Sequence, residues 1–201
     1  SSEARKYIDL SLRFAMFISI GAMFGLIGVG KSIVPAFLGK GFERCIEVVS
    51  LLSITLLFMA WANVIRTQIL IPKKKDRVYI ISTLLGAIVN VVINTLLITK
   101  WGAIGAAIGT IFAEATVCIY QTLMVRKELD IKNYLNNNVI FIISGIIMLL
   151  GIKYIEYILG NSLLTGVIQI FIGASVYCII SVIYMIIVKD ELIINIINKR
   201  K

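Results

Sequence analysis

The sequence has 201 residues but no histidine and only 11 acidic residues. Histidine is the side chain best suited to acid–base catalysis near neutral pH, and it is the commonest metal ligand. No two carboxylates stand at a spacing that suits paired acid–base work, and no serine stands beside a plausible base. We therefore expect neither an enzyme nor a bound metal or cofactor.

Cysteine and proline are also scarce. Cys45, Cys118 and Cys178 are widely separated and include no C-x-x-C pair, so they predict neither a disulfide framework nor a metal cluster and are interpreted as apolar filler. Pro35 and Pro72 fall near the ends of apolar segments, where a missing backbone N–H costs least. Neither proline therefore demands a kink at mid-membrane depth.

Charged residues make up only 15% of the chain, hydrophobic residues make up 59%, and the mean hydropathy is +0.97. This composition is too apolar for an ordinary soluble domain and predicts a protein embedded in the lipid bilayer. The net charge of +9 raises the alternative of nucleic-acid binding. The cations cluster in short loops between apolar segments, however, which is typical of membrane topology, and no nucleic-acid partner is expected.

Six apolar segments are each long enough to cross a bilayer as a helix. The sequence therefore predicts an all-α fold, a polytopic transmembrane helix bundle of six spans. The predicted spans are Leu10–Leu38, Val48–Ile71, Val78–Ile98, Gly102–Val125, Val139–Leu159 and Leu163–Val188.

Lysine and arginine are distributed unevenly between the two sides of this topology. Fourteen fall on the side of the two termini and five on the opposite side, while Arg66 lies within a span. Because cationic loops stay in the cytoplasm, both termini are predicted to be cytoplasmic. The larger group comprises Arg5, Lys6, Arg13, Lys73, Lys74, Lys75, Arg77, Arg126, Lys127, Lys132, Lys189, Lys199, Arg200 and Lys201, and the smaller comprises Lys31, Lys40, Arg44, Lys100 and Lys153.

The polar run Asn136–Asn138 is the best candidate for a boundary between a four-helix unit and a trailing helix pair. The chain opens without methionine or a cleavable signal peptide, so we expect it to be part of a longer protein. The predicted organisation is a cytoplasmic lead-in at 1–9, a four-helix unit at 10–125, a cytoplasmic loop at 126–138, a helix pair at 139–188 and a basic cytoplasmic tail at 189–201.

The stretch Gly25–Ser32 reads GLIGVGKS and matches the phosphate-loop pattern G-x-x-x-x-G-K-[ST]. That loop needs a preceding strand and a soluble sheet, whereas these residues lie inside a long apolar run, so no nucleotide site is expected. We expect Gly21, Gly25 and Gly28 to let a neighbouring helix approach closely, with Lys31 reaching to the interface.

Small residues cover one surface of the fourth span over its first two turns and include a G-x-x-x-G at Gly105–Gly109. Such a surface permits tight helix packing, and packing within the chain is the favoured interpretation, with homodimerisation as the alternative. Near the outer end of the fifth span, Lys153 and Glu156 stand three apart and predict a local ion pair.

Polar residues within the spans are the candidate functional residues, because contact with lipid would be costly for them. For Glu114 the alternative to a role in transport is a structural hydrogen bond between helices, and for Arg66 it is snorkelling to the nearby interface. The candidate substrate-binding residues are Asn63 and Arg66 in the second span, Asn90 and Asn94 in the third, and Glu114 and Gln121 in the fourth.

Three stretches carry a familiar pattern: FLG at Phe37–Gly39, NVIRTQILIPKKKDR at Asn63–Arg77 and GAIVNVVINTLLITKWGAIGAAIGTIFAE at Gly86–Glu114. The pattern resembles the C-terminal half of bacterial oligosaccharide flippases, the polysaccharide-export branch of the multidrug/oligosaccharidyl-lipid/polysaccharide exporter superfamily. The likeness covers roughly Leu10–Val125, and the last two spans match by position and hydropathy alone. Matching positions are Gln68, Leu70, Pro72, Asn90, Asn94, Gly102, Gly105, Ala106, Ala107, Ala113 and Glu114.

This resemblance implies twelve to fourteen spans in two halves around a central cavity, of which this chain would supply the last six. It implies transfer of an undecaprenyl-diphosphate-linked oligosaccharide across a bacterial plasma membrane for capsule or O-antigen synthesis, by alternating access. The implied partners are the missing N-terminal half and the polysaccharide polymerase machinery. Arg66 with Asn63 would meet the diphosphate, Asn90, Asn94 and Gln121 would bond sugar hydroxyls, and Glu114 would couple to a cation or fix a helix pair.

Two other functions are compatible with the sequence. A multidrug/cation antiporter of the same superfamily would use Glu114 as an ionisable cavity carboxylate. A non-transporting membrane scaffold would tolerate leucine at each polar position in the spans.

Overall fold

The computed structural model describes residues 2–39, 41–129 and 131–188, and these residues form α-helices and one π-helical turn without any β-strand. The short helices α2 and α3 and the π segment follow one another in a single span, Arg44–Leu70, so the described residues hold six helices long and apolar enough to cross a membrane. The predicted all-α bundle of six spans is confirmed. Its elements are α1 (Ser2–Leu38), α2 (Arg44–Ser53), α3 (Thr55–Ile65), the π segment (Arg66–Leu70), α4 (Asp76–Trp101), α5 (Ala103–Val125), α6 (Ile131–Leu159) and α7 (Leu163–Ile187).

The second span is broken between α2 and α3, at Ile54. On either side of the break, the Ser53 hydroxyl donates to the Ser50 carbonyl at 2.7 Å and the Thr55 hydroxyl donates to the Leu52 carbonyl at 2.6 Å. Hydroxyl groups that bond back to the preceding turn compete with the regular backbone pattern and bend helices. The break therefore has a local cause in the sequence SLLSIT.

The second irregularity of this span is the π segment. The backbone N–H of Ile71 donates to the Arg66 carbonyl at 3.0 Å, a bond that spans five residues. Single π turns are rare and are found frequently at functional sites. Here the π turn sets the position of Arg66, a candidate functional residue.

The helix α1 is the centre of the bundle, because it packs against α2, α3, α6 and α7. It contributes Leu12 to one buried apolar cluster and Ile20 to a second. Its glycines permit close approach: a Cβ added at Gly21 would lie 2.7 Å from the ring of Tyr177, and one added at Gly28 would lie 2.9 Å from Ile152. The predicted role of these two glycines in helix packing is confirmed.

The stretch that matches the phosphate loop lies wholly inside α1. No strand occurs in the described parts of the chain, so the strand–loop–helix setting that gives this motif its meaning is absent there. Lys31 of the motif pairs with Glu156 of α6 at 3.2 Å, and Glu156 also pairs with Lys153 at 2.8 Å. The predicted Lys153–Glu156 ion pair is confirmed, and Lys31 of α1 pairs with the same carboxylate.

The helices α4 and α5 form a hairpin that packs tightly along its length. A Cβ at Gly105 would lie 2.5 Å from the Leu97 carbonyl oxygen, and a Cβ at Gly109 would meet the side chain of Asn94. The small-residue face of α5 is therefore covered by α4, which confirms the interpretation of packing within the chain. The outer face of α4 carries large exposed apolar side chains, as expected for contact with lipid: Ile80, Leu84, Val91 and Leu96.

The helix limits differ from the predicted organisation at two places. The helix α1 begins at Ser2, so the residues predicted as a lead-in continue without a break into the first span, and α6 begins at Ile131, so the second half of the predicted loop 126–138 is helical. Tyr134, in that half, is buried and bonds Asp9 of α1. The tail 189–201 lies outside the described residues.

Side-chain contacts show which loops share an end of the bundle. Gln68 of the π segment donates to Ser11 near the start of α1, and Lys73 and Lys75 reach Glu128 beyond the end of α5. The cation-rich loops thus gather at the end where α1 begins.

Candidate functional site

A cavity of about 820 Å³ lies between α1, α3, the π segment, α4 and α5. Its walls are mostly apolar, with side chains such as Phe14, Ile18 and Met59. Four of the six predicted site residues line it together, although they come from three different elements. The polar lining residues are Ser19, Asn63, Arg66, Tyr79, Thr83, Glu114 and Gln121.

The guanidinium of Arg66 is held in the wall of this cavity by two contacts. Its Nη2 donates to the Oδ1 of Asn63 at 2.6 Å, and its central carbon lies 5.6 Å from the centroid of the Tyr79 ring, within cation–π range. Its Nε atom is buried and has no hydrogen-bond partner among the described residues. A cation fixed in a largely apolar cavity is suited to binding an anion.

Glu114 brings a carboxylate to the same cavity. It lies midway along α5, is partly buried, and forms no ion pair or hydrogen bond within the described parts of the chain. Arg66 and Glu114 thus line one cavity without a salt bridge between them. The guanidinium of Arg66 and the carboxyl group of Glu114 both remain available to a ligand or an ion.

Gln121 lies in the cavity wall, but its amide nitrogen is already engaged. The Nε2 donates to the Ser82 hydroxyl of α4 at 2.9 Å, and both side chains are buried, with Gln121 only 1% exposed. The Oε1 of Gln121 is buried and has no hydrogen-bond partner among the described residues, so it remains an acceptor for a ligand hydroxyl while the bond to Ser82 stays in place. The structure supports a structural role at the α4–α5 contact at least as well.

Asn90 and Asn94 do not line the cavity. The Nδ2 of Asn94 donates to the Oδ1 of Asn90 at 2.9 Å, and Asn94 packs against Gly109. This bond satisfies part of the hydrogen-bonding capacity of each amide, and Asn94 lies at the α4–α5 contact. The structure does not bring them together with Arg66 and Glu114.

Sequence reasoning missed Tyr79 as a cavity residue. Tyr79 stands one helical turn before Thr83, and Thr83 also lines the cavity. The i, i+4 spacing of an aromatic and a hydroxyl residue at the start of α4 was a usable signal. This spacing alone does not place Tyr79 beside Arg66, because the π segment brings Arg66 opposite the Tyr79 ring.

A second, apolar cavity of about 550 Å³ lies on the other side of α3 and α5, against α1 and α6. Phe58 and Trp61 of α3 line it, together with Ile119 and Leu123 of α5. The two helices therefore bring Asn63, Glu114 and Gln121 to the first cavity and mostly apolar side chains to the second. Groups of three or more histidine, cysteine or acidic side chains suited to a metal ion do not occur among the described residues.

No protein-family model matches this sequence, and no solved structure is significantly similar to it. An uncharacterised membrane protein of the archaeon Methanocaldococcus jannaschii is 35% identical over 94 residues, which make up 46% of this chain and 18% of that protein. The chain thus covers less than a fifth of the length of this relative. Together with the six apolar helices, this similarity identifies the chain as a multi-pass membrane protein.

Proposed function

We propose that this chain is one lobe of a flippase that carries isoprenoid-diphosphate-linked oligosaccharides across the plasma membrane, for capsule, O-antigen or related polysaccharide synthesis. The observation that carries the proposal is the membrane-embedded cavity in which Arg66, Asn63 and Glu114 meet. Their sequence setting resembles that of the polysaccharide exporters. An enzymatic role is not proposed.

The cavity offers complementary groups for the head of such a ligand. Arg66 supplies a fixed cation for the diphosphate, because guanidinium groups bond phosphate oxygens through paired N–H donors. Asn63, Thr83 and Ser19 supply hydrogen-bonding groups for sugar hydroxyls. Glu114 supplies a carboxylate that is free to bind a proton or cation during the cycle.

The lobe is proposed to work against a complementary bundle of helices. Asn63 is exposed in the membrane-spanning part of the chain, and Arg66 is only partly buried. Such groups are costly against lipid, so a second bundle is expected to close this side of the cavity. The archaeal relative is several times longer than the matched segment, which leaves room for such a bundle in a longer chain. Both termini of the described lobe are proposed to be cytoplasmic.

The test is glycan export in cells in which the gene encoding this chain is altered. We expect Arg66→Ala to reduce export at least tenfold, because a charge-assisted contact to phosphate contributes about 1.5–3 kcal/mol. Arg66→Lys should retain part of the activity. Lys100→Ala removes an exposed cation at the far end of α4 and should have no effect. Export at wild-type level in both Arg66→Ala and Glu114→Ala would refute the proposal.

The same cells test the antiporter alternative, which is favoured by the unpaired Glu114. An antiporter predicts loss of drug resistance in Glu114→Gln and normal resistance in Arg66→Ala. A scaffold predicts that leucine is tolerated at both positions.

A further inference from the structure

A continuous chain of contacts runs from α5 to α3 through the first turns of α4. Gln121 donates to Ser82 at 2.9 Å, and the Ser82 hydroxyl donates to the carbonyl oxygen of Tyr79 at 2.7 Å. The ring of Tyr79 lies against the guanidinium of Arg66 at 5.6 Å, and Arg66 donates to Asn63 at 2.6 Å. Arg66 therefore contacts α3 and α4 directly, and α5 is connected to it through Ser82 and Tyr79.

The α5 end of this chain is well buried. Gln121 is 1% exposed and Ser82 is 0% exposed, so their hydrogen bond is shielded from competing solvent. The Tyr79 carbonyl also accepts a bond from the Thr83 hydroxyl at 3.0 Å. Two hydroxyl groups thus bond the backbone carbonyl of Tyr79, the residue whose ring lies against Arg66.

Arg66 needs such support because of where it stands. It opens the π segment, and its long side chain would lose much rotamer freedom on binding a ligand. A guanidinium that is already oriented in the free protein avoids most of that loss. The Tyr79 ring contacts one part of the guanidinium and Asn63 another.

We propose that Tyr79 is a positioning residue, braced by Ser82 and Gln121, that orients the Arg66 guanidinium toward a phosphate-bearing ligand in the cavity. This rests on the proposed function, because it takes Arg66 as the anion-binding group. It assigns Gln121 a role through Ser82 and Tyr79 that requires no direct contact with substrate.

Binding of inorganic pyrophosphate to the full 201-residue chain in nanodiscs, measured by calorimetry, tests the proposal. We expect Tyr79→Leu to weaken binding about three- to thirtyfold, which is the range of a cation–π contact. Tyr79→Phe keeps the ring and should bind within about twofold of wild type, whereas Ser82→Ala should fall between the two. Tyr154→Leu is the matched control, because Tyr154 is an exposed tyrosine on α6 that does not line the cavity.

The decisive comparison repeats Tyr79→Leu in the Arg66→Ala background. A positioning residue should have no further effect there, because the group that it orients is gone. An equal loss of affinity with and without Arg66 would overturn the proposal, as would a Tyr79→Phe variant that binds as poorly as Tyr79→Leu.

A wild-type chain that binds no pyrophosphate would refute the proposed anion site. Thermal unfolding would then test separately whether Tyr79 and Arg66 are in contact. Losses of unfolding temperature that are not additive between Arg66→Ala and Tyr79→Leu would support the contact. Additive losses would overturn it.

Discussion

At the scale of single residues, the close packing of α5 against the backbone of α4 depends on the absence of a side chain. Gly105 of α5 faces the backbone of α4, and an added Cβ would lie 2.5 Å from the Leu97 carbonyl oxygen. Backbone cannot move aside as a flexible side chain can, so the two helices would have to separate. Gly151 of α6 also lies in a helix but has no atom within 4 Å of an added Cβ.

This contrast predicts opposite results for the same substitution at two glycines. Gly105→Ala should destabilise the fold by about 1–3 kcal/mol, because it overpacks the α4–α5 contact. Gly151→Ala should be neutral or stabilising by up to about 1 kcal/mol, because alanine is the better helix former. Unfolding of the purified variants in detergent measures both, and equal stabilities would show that α4 and α5 do not pack this closely.

At the scale of elements, the turn before α4 is tied to the turn after α5 by one carboxylate. Glu128 accepts from Lys73 at 2.6 Å and from Lys75 at 2.7 Å. Burial alone would raise the pKa of Glu128, but the hydrogen bonds and the charges of the two lysines outweigh it and lower the pKa below its ordinary value of 4.5. The two lysines therefore stabilise the ionised form of Glu128 in the folded chain.

The lowered pKa predicts how this tie responds to acid. Because the pKa is lower in the folded chain than in the unfolded chain, the tie stabilises the fold fully above pH 4.5 and is lost as pH falls through the folded-state value. The lysines are one-third to one-half exposed, so the contribution should be about 1 kcal/mol or less.

Unfolding measured from neutral to acidic pH for wild type and Glu128→Gln checks this expectation. Their difference in stability should be present at neutral pH and vanish in acid. Glu47→Gln, at an exposed acidic residue of α2, is the control and should follow wild type. A difference that persists unchanged below pH 4 would contradict the assignment.

At the scale of the whole molecule, α1 connects parts that the sequence predicted as separate. It packs against α3 of the four-helix unit and against both α6 and α7 of the trailing pair. Tyr177 of α7 donates to the Phe17 carbonyl of α1 at 2.6 Å and stacks on the Phe17 ring at 5.2 Å. The last two helices therefore share a core with the first.

This arrangement predicts that the chain does not divide after α5. A fragment ending at Leu129 should aggregate when produced alone, because it exposes the faces of α1 that contact α6 and α7, and it should become soluble in mild detergent when co-produced with the remaining residues. Co-purification and gel filtration measure this. A monodisperse, helical 1–129 fragment would support the predicted boundary instead.

Much of the candidate site was predictable because polar residues in apolar spans are conspicuous. Asn63, Arg66, Glu114 and Gln121 were all found in this way, and they share the cavity. Asn90 and Asn94 carry the same signal, but they bond each other outside the cavity, and Asn94 packs against Gly109 of α5. Burial against another helix and exposure to a cavity both keep an amide away from lipid, so polarity alone does not separate the two.

The sequence by itself determined the fold class, because six long apolar segments admit helices and little else in a bilayer, where every backbone N–H and C=O must be satisfied within the segment. It also determined the grouping of the cationic loops, since helices of this length alternate in direction. Only the tertiary structure decided that α1 is the central helix and that Tyr79 meets Arg66. The contacts of α1 with α6 and α7 join residues far apart in the chain and depend on close approach at glycines. The contact of Tyr79 with Arg66 depends on a π turn, whose hydrogen bond leaves no mark in hydrophobic periodicity.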